Sequence, residues 1–415
     1  MKIFPAPEIQ LEIGTFYQKT ESDYMKASPV KFSRAAGLDF YQTLKLRVNE
    51  YFETKKVSRY ANAAMVFKTI VLVGLYIVPY LLIVTSTITN PWLVFATWVV
   101  MGIGISGIGL GIMHDANHGA YSSHAWINNG LGALLNLLGG NAMNWRIQHN
   151  VLHHTYTNID GLDEDIAPGK ILRLSPHQPL NKIHRFQHLY AWFLYGLMTL
   201  SWVTMKEFKQ LKNWKGTGYF EAQGSTYGRS LVILVVTKAI YFSYALALPL
   251  LLTPSPWWLT VISFVVMHML AGFILGIVFQ PAHTVPTSDF PMPDDNGNIE
   301  NTWAVHQMHT TADFAPNNRL FSWFVGGLNY QIEHHLFTNI CHVHYRPLSK
   351  IVRATAEEFG LPYIVEPTFF SALVSHSKFL KEMGLGKVES LPSLKATRSS
   401  LPQETKVVVL DYQQG

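Results

Sequence analysis

Four apolar segments, each long enough to cross a lipid bilayer, constrain this chain more than any other feature. A helix needs about 20 residues to span the hydrocarbon core. The segments cover residues 69–89, 92–113, 231–252 and 257–279. None of them contains Asp or Glu, and short connections at residues 90–91 and 253–256 join them into two helical hairpins. Charged residues make up 14% of the chain, against roughly 25% in soluble domains. The sequence therefore predicts an all-α integral membrane protein.

The positions of Lys and Arg indicate how the spans are oriented. Residues 1–65, 114–229 and 281–415 each hold ten of the 32 Lys and Arg, whereas the two hairpin connections hold none. Because such residues concentrate in cytoplasmic loops, we expect both termini and the middle loop on the cytoplasmic side. Residues 189–205 are apolar but too short to span, and basic residues flank them, so we expect a helix in the membrane interface.

These features divide the chain into three parts. Residues 1–65 are expected to form a cytoplasmic N-terminal segment, residues 66–365 a membrane domain, and residues 366–415 a C-terminal extension. The end of that extension mixes charge, Ser and Pro, which is typical of a partly disordered tail.

We expect no secretory signal, because the first residues lack an apolar stretch of the required length. The single cysteine, Cys341, excludes an internal disulfide framework, and the absence of a basic run predicts no nucleic-acid partner.

The second predicted span is rich in glycine between residues 102 and 112. Gly107 and Gly111 stand four residues apart, a spacing that favours close packing against another helix. A role in shaping a substrate path is the alternative.

Three histidine clusters hold the candidate chemistry. They contain His114 and His118, then His149, His153 and His154, then His334 and His335, and a further histidine, His283, follows the fourth predicted span. Histidines four residues apart on a helix face the same side, so their rings can reach one centre. If the second and third clusters share that centre, an even number of crossings must separate them. The last two predicted spans already supply two crossings. The segment at 189–205 should therefore not cross, which agrees with an interfacial helix there.

The number of histidines favours a site with two metal ions. Eight neutral imidazoles exceed the four ligands that one zinc takes, and imidazole suits iron, copper, nickel or zinc. Two metals that share eight histidines and keep open positions fit iron that activates dioxygen. We therefore expect a cytoplasmic helical cap that holds a di-metal centre at the membrane surface, where a lipid substrate keeps its polar head in water.

The residues around these histidines resemble a known family. HDANH from residue 114, HNVLHH from residue 149 and QIEHH from residue 331 are similar to the three histidine boxes of the membrane fatty acid desaturases. The similarity extends from about residue 60 to about residue 365. It implies two non-haem iron ions that use dioxygen and two electrons to remove two hydrogens from an acyl chain, leaving a cis double bond. It also carries the role of metal ligand to the seven box histidines and, through QPAH, to His283.

Gln331, at the head of the third box, makes the resemblance more specific. Related enzymes with Gln at this position form the front-end branch, which acts on acyl-lipids or acyl-CoA and adds a double bond between an existing one and the carboxyl end. An amide oxygen is a poor donor beside imidazole, so we expect Gln331 to hold a water. Many front-end enzymes carry a fused cytochrome b5 domain with a His-Pro-Gly-Gly motif, which this sequence lacks. The resemblance therefore implies an external electron donor, either ferredoxin or cytochrome b5 with its reductase.

Carboxylates near the second box are candidates for orienting its histidines. A metal-bound His usually donates its second N–H to a carboxylate or carbonyl. Asp163 and Asp165, in GLDEDI, resemble a family region that follows this box, and we favour them for this role or for head-group binding. A solvated acidic turn is an equal alternative. Glu333 lies within the third box but is expected to be structural.

Several other ionisable residues are weaker candidates. His306 and His309 lie near enough to be considered as ligands, and His342 and His344 as head-group contacts. Lys238 and His268 lie within predicted spans, where ionisable groups are costly and often functional. We expect Lys238 to be structural, with its ammonium reaching toward the cytoplasmic surface.

Two other functions fit part of this pattern. A membrane hydroxylase of alkanes, sterols or carotenoids would share the boxes and the iron but leave an oxygen in its product, and Gln331 argues against it. A histidine-rich metal transporter needs ionisable or broken-helix sites near the membrane midplane. The first two predicted spans hold no acidic, basic or histidine residue, which argues against transport. Desaturation of a fatty acyl chain is therefore the predicted function.

Overall fold

The computed structural model describes residues 30–33 and 38–387 and is mostly helical. Its α-helices are α1 (Leu38–Lys55), α2 (Ala63–Val84), α3 (Pro91–Gly107), α4 (Met113–Asn117), α5 (Ala125–Gly132), α6 (Leu134–Leu137), α7 (Ala142–Trp145), α8 (His154–Tyr156), α9 (Gln187–Gly196), α10 (Met198–Ser201), α11 (Glu207–Asn213), α12 (Tyr219–Ala222), α13 (Tyr227–Phe242), α14 (Leu248–Leu252), α15 (Trp257–Phe279), α16 (Trp303–Thr310), α17 (Arg319–Phe324), α18 (Gln331–Leu336), α19 (Tyr345–Glu358) and α20 (Phe369–Gly384).

Other helical turns and short strands complete this part of the chain. The π-helical segments are Ile108–Ile112, Arg146–His153, Trp202–Lys206 and Ser243–Ala247. The 3₁₀ segments are Glu164–Ile166, Lys182–Phe186, Gln280–Ala282 and His342–His344. The strands are β1 (Lys31–Phe32), β2 (Asn298–Ile299), β3 (Asp313–Phe314) and β4 (Val365–Glu366). Strand β1 pairs with β2 and β3 with β4, both in parallel.

Four segments within the described residues are long and apolar enough to cross a membrane. They are Ala63–Val84, Pro91–Asn117, Tyr227–Leu252 and Trp257–Ala282, called here the first to fourth spans. The first begins and ends earlier than the predicted 69–89. Asn62 caps its start by accepting a hydrogen bond from the Met65 amide, and the helix runs through Lys68, which is buried. Its end lies just before Ser86, whose φ of 53° is left-handed and cannot continue a helix.

The second span lies at the centre of the membrane helices. It is 67% buried within its apolar stretch, against 28% for the first span. A Cβ added to Gly102 would lie 2.7 Å from the Met267 carbonyl oxygen of the fourth span, and one on Gly104 would lie 3.0 Å from the Leu75 backbone of the first. At these two glycines the missing side chains let backbones meet. Gly107 and Gly111, the predicted pair, also pack against the first span, where an added Cβ would lie 2.7 Å from the Leu72 side chain and 3.1 Å from the Lys68 ammonium.

The apolar stretch at 189–205 is divided between short helices. Helix α9 has ten residues and α10 four, with a break at Leu197, so neither reaches the roughly 20 residues that a span requires. Helices α9 and α10 pack against α15. The side chains of Leu189 and Phe193 remain exposed on the outer side. A position in the membrane interface stays a prediction.

Two ionisable side chains inside the spans have protein partners. Lys238 is 5% exposed, so the prediction that it reaches the surface is wrong. Its ammonium instead lies 2.5 Å from the Glu207 carboxylate of α11 and donates to the Trp202 carbonyl at 2.8 Å. In the fourth span, His268 lies between the hydroxyls of Tyr241 and Thr199. Both residues therefore join spans to neighbouring elements.

The helices outside the spans pack around a second core. Helices α1, α16, α18 and α19 contact one another through a cluster that includes Phe40, Met308, Ile332 and Leu348. Helix α20, in the region assigned to the C-terminal extension, packs against α9. Disorder is predicted from about residue 384, where α20 ends, and residues 388–415 of that tail lie outside the described residues.

Candidate metal centre

The structure brings all eight histidines that the sequence singled out into one cluster, in which every residue but the partly exposed His118 is buried. Four of them have ring nitrogens within 4.8 Å of one another, namely His114, His118, His149 and His334. Three others form a second group with the same spacing, namely His153, His283 and His335. His154 lies between the groups, with its ring centroid 4.6 Å from that of His334 and 4.3 Å from that of His335.

The second histidine box owes its geometry to a π-helical segment, Arg146–His153. A π-helix closes its hydrogen bonds between residues i and i+5. His149 and His154, five residues apart, therefore meet, and their Nε2 atoms lie 3.1 Å from each other. The rings of His149 and His153 also stack, with centroids 5.2 Å apart, as the α-helical spacing predicts. Because His153 lies beside His283 and His335 as well, the second box contributes to both groups.

Hydrogen bonds at the outer nitrogens fix which nitrogen faces the cluster. Nδ1 of His153 lies 3.1 Å from the Asp163 carboxylate. Nδ1 of His335 lies 2.8 Å from the Gln307 amide oxygen, and Nδ1 of His283 lies 3.3 Å from the Thr310 carbonyl. These oxygens only accept, so each Nδ1 carries the proton and each Nε2 keeps a lone pair. Among the described residues these three Nε2 atoms have no hydrogen-bond partner, although they are buried.

Burial keeps most of these rings neutral. It lowers the pKa of His149 well below its ordinary value, and the nearby His154 and His114 rings lower it further. The same causes act on His118, His154, His334 and His335, each with its own histidine neighbours. Burial also lowers the pKa of His283, to about 3. Neutral imidazoles with unshared lone pairs are the form that binds a metal ion.

His153 differs from the others because carboxylates lie beside it. Burial lowers its pKa, but Asp163 and Asp165 outweigh that effect and leave the pKa raised. Asp163 is fully buried and also accepts the backbone N–H of Asn158 at 3.0 Å. Asp165 lies 3.7 Å from His153 and 4.0 Å from His149, and its other oxygen accepts from Gln148. The geometry suits Asp163 to orienting His153 and leaves Asp165 beside both groups.

Two further residues contact the outer nitrogens of the third box. Gln307 of α16 accepts from His335, and the Tyr345 hydroxyl of α19 lies 3.2 Å from Nδ1 of His334. In the sequence, the nearby His306 and His309 were candidate ligands, whereas Gln307 was not a candidate. Nothing in the sequence distinguishes this Gln, and only the packing of α16 against α18 shows its contact with His335.

Polar side chains from outside helix α18 hold the start of that helix in place. Asp313 accepts the Ile332 backbone N–H at 3.0 Å, and the Tyr363 hydroxyl lies 2.7 Å from Asp313 and 2.9 Å from Glu333. Burial, strengthened by Asp313, raises the pKa of Glu333 well above its ordinary value. Glu333 thus faces away from the histidines and joins helix α18 to its support, which agrees with its predicted structural role.

Gln331 lies beside His283, and its buried Oε1 has no partner within the described residues.

The weaker histidine candidates lie outside the cluster. His306 Nε2 donates to the Thr157 carbonyl at 2.8 Å, and His309 lies 3.0 Å from the Asp289 carboxylate. His344 lies 3.3 Å from the Tyr60 carbonyl. His342 is buried rather than open to a lipid head group.

A third group of metal-binding side chains, Asp115, Cys341 and His342, does not suit a cation. His342 Nδ1 donates to Asp115 at 2.7 Å, which leaves Nε2 as its acceptor. That nitrogen lies 2.9 Å from the Lys68 ammonium, which donates to it. The positive charge of Lys68 therefore takes the place that a metal ion would need.

The two histidine groups fit a pair of metal ions by their donor chemistry. Seven or eight buried imidazoles, several with bare Nε2 atoms that face each other, exceed what one tetrahedral ion can use. Imidazole with carboxylates nearby suits first-row transition metals, iron among them. Orphaned buried nitrogens are costly, and a shared metal site accounts for them.

Together the fold and the cluster define a helical membrane protein with a histidine cluster that could hold metal ions. A model of the fatty acid desaturase family matches residues 90–367. The chain therefore belongs to the fatty acid desaturase family and is an oxidoreductase, as the sequence predicted.

Characterised relatives span nearly the whole chain. It is 35% identical over 361 residues to the sn-1 linoleoyl-lipid 6-desaturase of Arthrospira platensis, covering 86% of this chain and 95% of the relative. It is also 35% identical to the enzyme of the same name from Synechocystis sp., covering 87% of this chain and 99% of the relative. The acyl-lipid (8-3)-desaturase of Physcomitrium patens is 34% identical, covering 90% of this chain and 77% of the relative.

Proposed function

We propose that this desaturase is a front-end enzyme that acts on a lipid-linked, already unsaturated acyl chain with two iron ions and dioxygen. The observation that carries the proposal is the convergence of eight histidine rings, seven of them buried, in a member of this family. The hydroxylase alternative is disfavoured, because the relatives described above are all named as desaturases.

Each group of histidines would hold one iron ion. His114, His118, His149 and His334 would bind the first, His153, His283 and His335 the second, and His154 would lie between them. When bound, the two ions supply the activation of dioxygen that lets two hydrogens leave the acyl chain. Asp163 and Gln307 hold their histidines with Nδ1 protonated and Nε2 directed inward.

The protein surrounding the cluster excludes water from it. His153 and His335 are fully buried, five of the other rings are between 1% and 6% exposed, and His118 is partly exposed. Exclusion of water protects a reactive centre from side reactions. Gln331 would hold a water or the substrate beside His283, because its amide oxygen is buried and points at no protein donor in the described region.

The names of the relatives support the substrate class. Two act on linoleoyl-lipid at position 6, and one is an acyl-lipid (8-3)-desaturase. A bond at position 6 lies on the carboxyl side of those already in a linoleoyl chain. We therefore propose the same class of reaction here, with membrane lipid as the acyl carrier rather than CoA.

The proposed topology sets where electrons enter. The distribution of Lys and Arg supports a cytoplasmic position for the termini, the helices outside the spans and the histidine cluster. Two electrons per turnover would come from a separate protein on that side, either ferredoxin or cytochrome b5 with its reductase.

Expression in a host that lacks polyunsaturated lipids tests the proposal. The host is fed linoleate, and mass spectrometry maps double bonds in its extracted acyl chains. We expect a new double bond on the carboxyl side of the existing ones, carried by glycerolipids and absent with His334→Ala. A hydroxylated product would contradict desaturation, and a new bond on the methyl side would contradict the front-end assignment.

Metal analysis of the purified protein tests the cofactor. We expect about two iron ions per chain and loss of activity after chelation. Activity that is retained after iron has been removed, or that zinc restores, would contradict the iron assignment.

A further inference from the structure

Helix α20 holds a buried histidine outside the region that matches the family. The family match ends at residue 367, and α20 begins at Phe369. His376 on this helix is fully buried and lies near none of the three histidine boxes in sequence. It nevertheless contacts the chain directly after His283, one of the proposed ligands.

The hydrogen bonds of His376 define its protonation. Nδ1 lies 2.8 Å from the Thr284 carbonyl oxygen, which only accepts, so Nδ1 carries the proton. Nε2 is then an acceptor, and the Tyr195 hydroxyl of α9 donates to it at 2.7 Å. Burial lowers the pKa of His376 to about 4, in agreement with a neutral ring. One imidazole thus links α20, α9 and the segment after the fourth span.

The segment that His376 contacts is held on both sides. Asn158 donates to the His283 carbonyl at 2.9 Å, and His376 donates to the next carbonyl along the chain, that of Thr284. The Thr284 amide and hydroxyl both turn back to Gln280. The two held carbonyls belong to the peptide groups on either side of Thr284, so they fix the backbone of the residue directly after His283. The peptide group before His283 is held separately, because the His283 amide donates to the Gln280 carbonyl at 3.1 Å and the Ala282 carbonyl accepts from the Ala312 amide at 2.8 Å.

We propose that His376 is a positioning residue for the metal centre, acting through Thr284 to aim His283 at the second group of histidines. The inference rests on the proposed function, because it assumes that His283 is a ligand. His153 and His335 are oriented by their own side-chain partners, Asp163 and Gln307. His283 has the longest of these outer hydrogen bonds, 3.3 Å to Thr310. Its direction therefore depends more on the backbone on either side of it, and His376 contributes by holding the residue that follows, Thr284.

Conservative variants separate this role from simple packing. His376→Asn places an amide N–H near the position of Nδ1 and keeps the donor to Thr284, whereas His376→Ala removes it. Leu380→Ala is the matched control, because Leu380 is fully buried on the same helix one turn later. It weakens the packing of α20 without touching Thr284.

The measurement is the iron affinity of the full-length protein in detergent, by competition with a chelator, with thermal unfolding of the iron-free protein recorded in parallel. Loss of a residue that orients a ligand typically costs 10–100-fold in metal affinity. We expect a loss of that size for one of the two ions in His376→Ala, and a loss of less than about threefold in His376→Asn and Leu380→Ala.

Three outcomes would overturn the inference. They are wild-type affinity in His376→Ala, an equal loss in Leu380→Ala, and no rescue by His376→Asn when that variant unfolds at the wild-type temperature. If the wild-type protein itself binds no iron, the proposed function fails first, so the two failures are distinguishable. Mössbauer spectra provide an independent readout, because we expect His376→Ala to alter the signal of one iron site and leave the other unchanged.

Discussion

The side-chain oxygen of Gln307 accepts a hydrogen bond from Nδ1 of His335 at 2.8 Å, so helix α16 orients a ring carried by helix α18. The same oxygen accepts from the Thr157 hydroxyl at 2.9 Å, which holds the amide in place. The third histidine box is thereby tied to the chain that follows the second.

Replacing Gln307 tests this contact. Gln307→Leu keeps the approximate size of the side chain but removes the acceptor, so the His335 ring can rotate. We expect metal affinity to fall 10–100-fold, measured by chelator competition. Gln307→Glu keeps an acceptor, so we expect it to bind metal at least tenfold more tightly than Gln307→Leu. Equal affinities in the two variants would contradict an orienting role.

Replacing His149 should abolish desaturation. Its Nε2 lies 3.1 Å from the Nε2 atoms of both His114 and His154, so it is central to the first group. We expect no detectable new double bond with His149→Ala in the linoleate-feeding experiment. His124→Ala is the matched control, because His124 is exposed and belongs to neither histidine group. Product formation by His149→Ala at half the wild-type level would remove this residue from the ligand set.

Removing Asp313 should loosen the helix that carries His334 and His335. In Asp313→Ala the buried Ile332 amide loses its acceptor, and a lost bond to a charged group costs about 1.5–3 kcal/mol. We expect a lower unfolding temperature of the iron-free protein, measured by scanning fluorimetry. Asp313→Asn keeps an oxygen for that amide and should lie between Asp313→Ala and wild type. An unfolding temperature unchanged in Asp313→Ala would show that the contact adds no stability.

The buried ion pair of Lys238 and Glu207 predicts a strong coupling between two variants. Lys238→Met alone leaves a buried carboxylate without its partner, which costs about 3–5 kcal/mol. The double variant Lys238→Met, Glu207→Leu leaves neither charge buried, and we expect it to recover much of that loss. Thermal unfolding in detergent of both single variants and the double variant measures the coupling. Additive losses would indicate that the two charges do not interact.

Hydropathy and histidine spacing predicted the larger features, because each is a local pattern. Long apolar segments predicted four spans, and four helices of that kind are present in the described chain. The start of the first span was predicted too late, because Lys68 looks like a boundary until its contacts with His342 and Trp323 are known. The snorkelling of Lys238 was wrong for the same reason, since Glu207 belongs to another element.

The details of the metal centre depend on packing that spacing alone does not reveal. An α-helical repeat predicts that His149 faces the same way as His153, and their rings do stack, but it does not predict the contact of His149 with His154 that the π-helical segment allows. Gln307, Asp313 and His376 each act across elements distant in sequence, and none belongs to a recognisable motif. The sequence therefore indicated which rings gather, and the structure adds which groups orient them.

The division of ligands along the chain has a consequence for biosynthesis. Each group combines a ring from the first or second box with a ring from the third, and the second group also takes His283 from the end of the fourth span. Neither group can be complete while the nascent chain still ends within the last pair of membrane helices. If each group holds an iron ion as proposed, iron enters late, after the ribosome has released residues up to His335. A chain truncated before that point would then carry its remaining histidines to the membrane without a complete site.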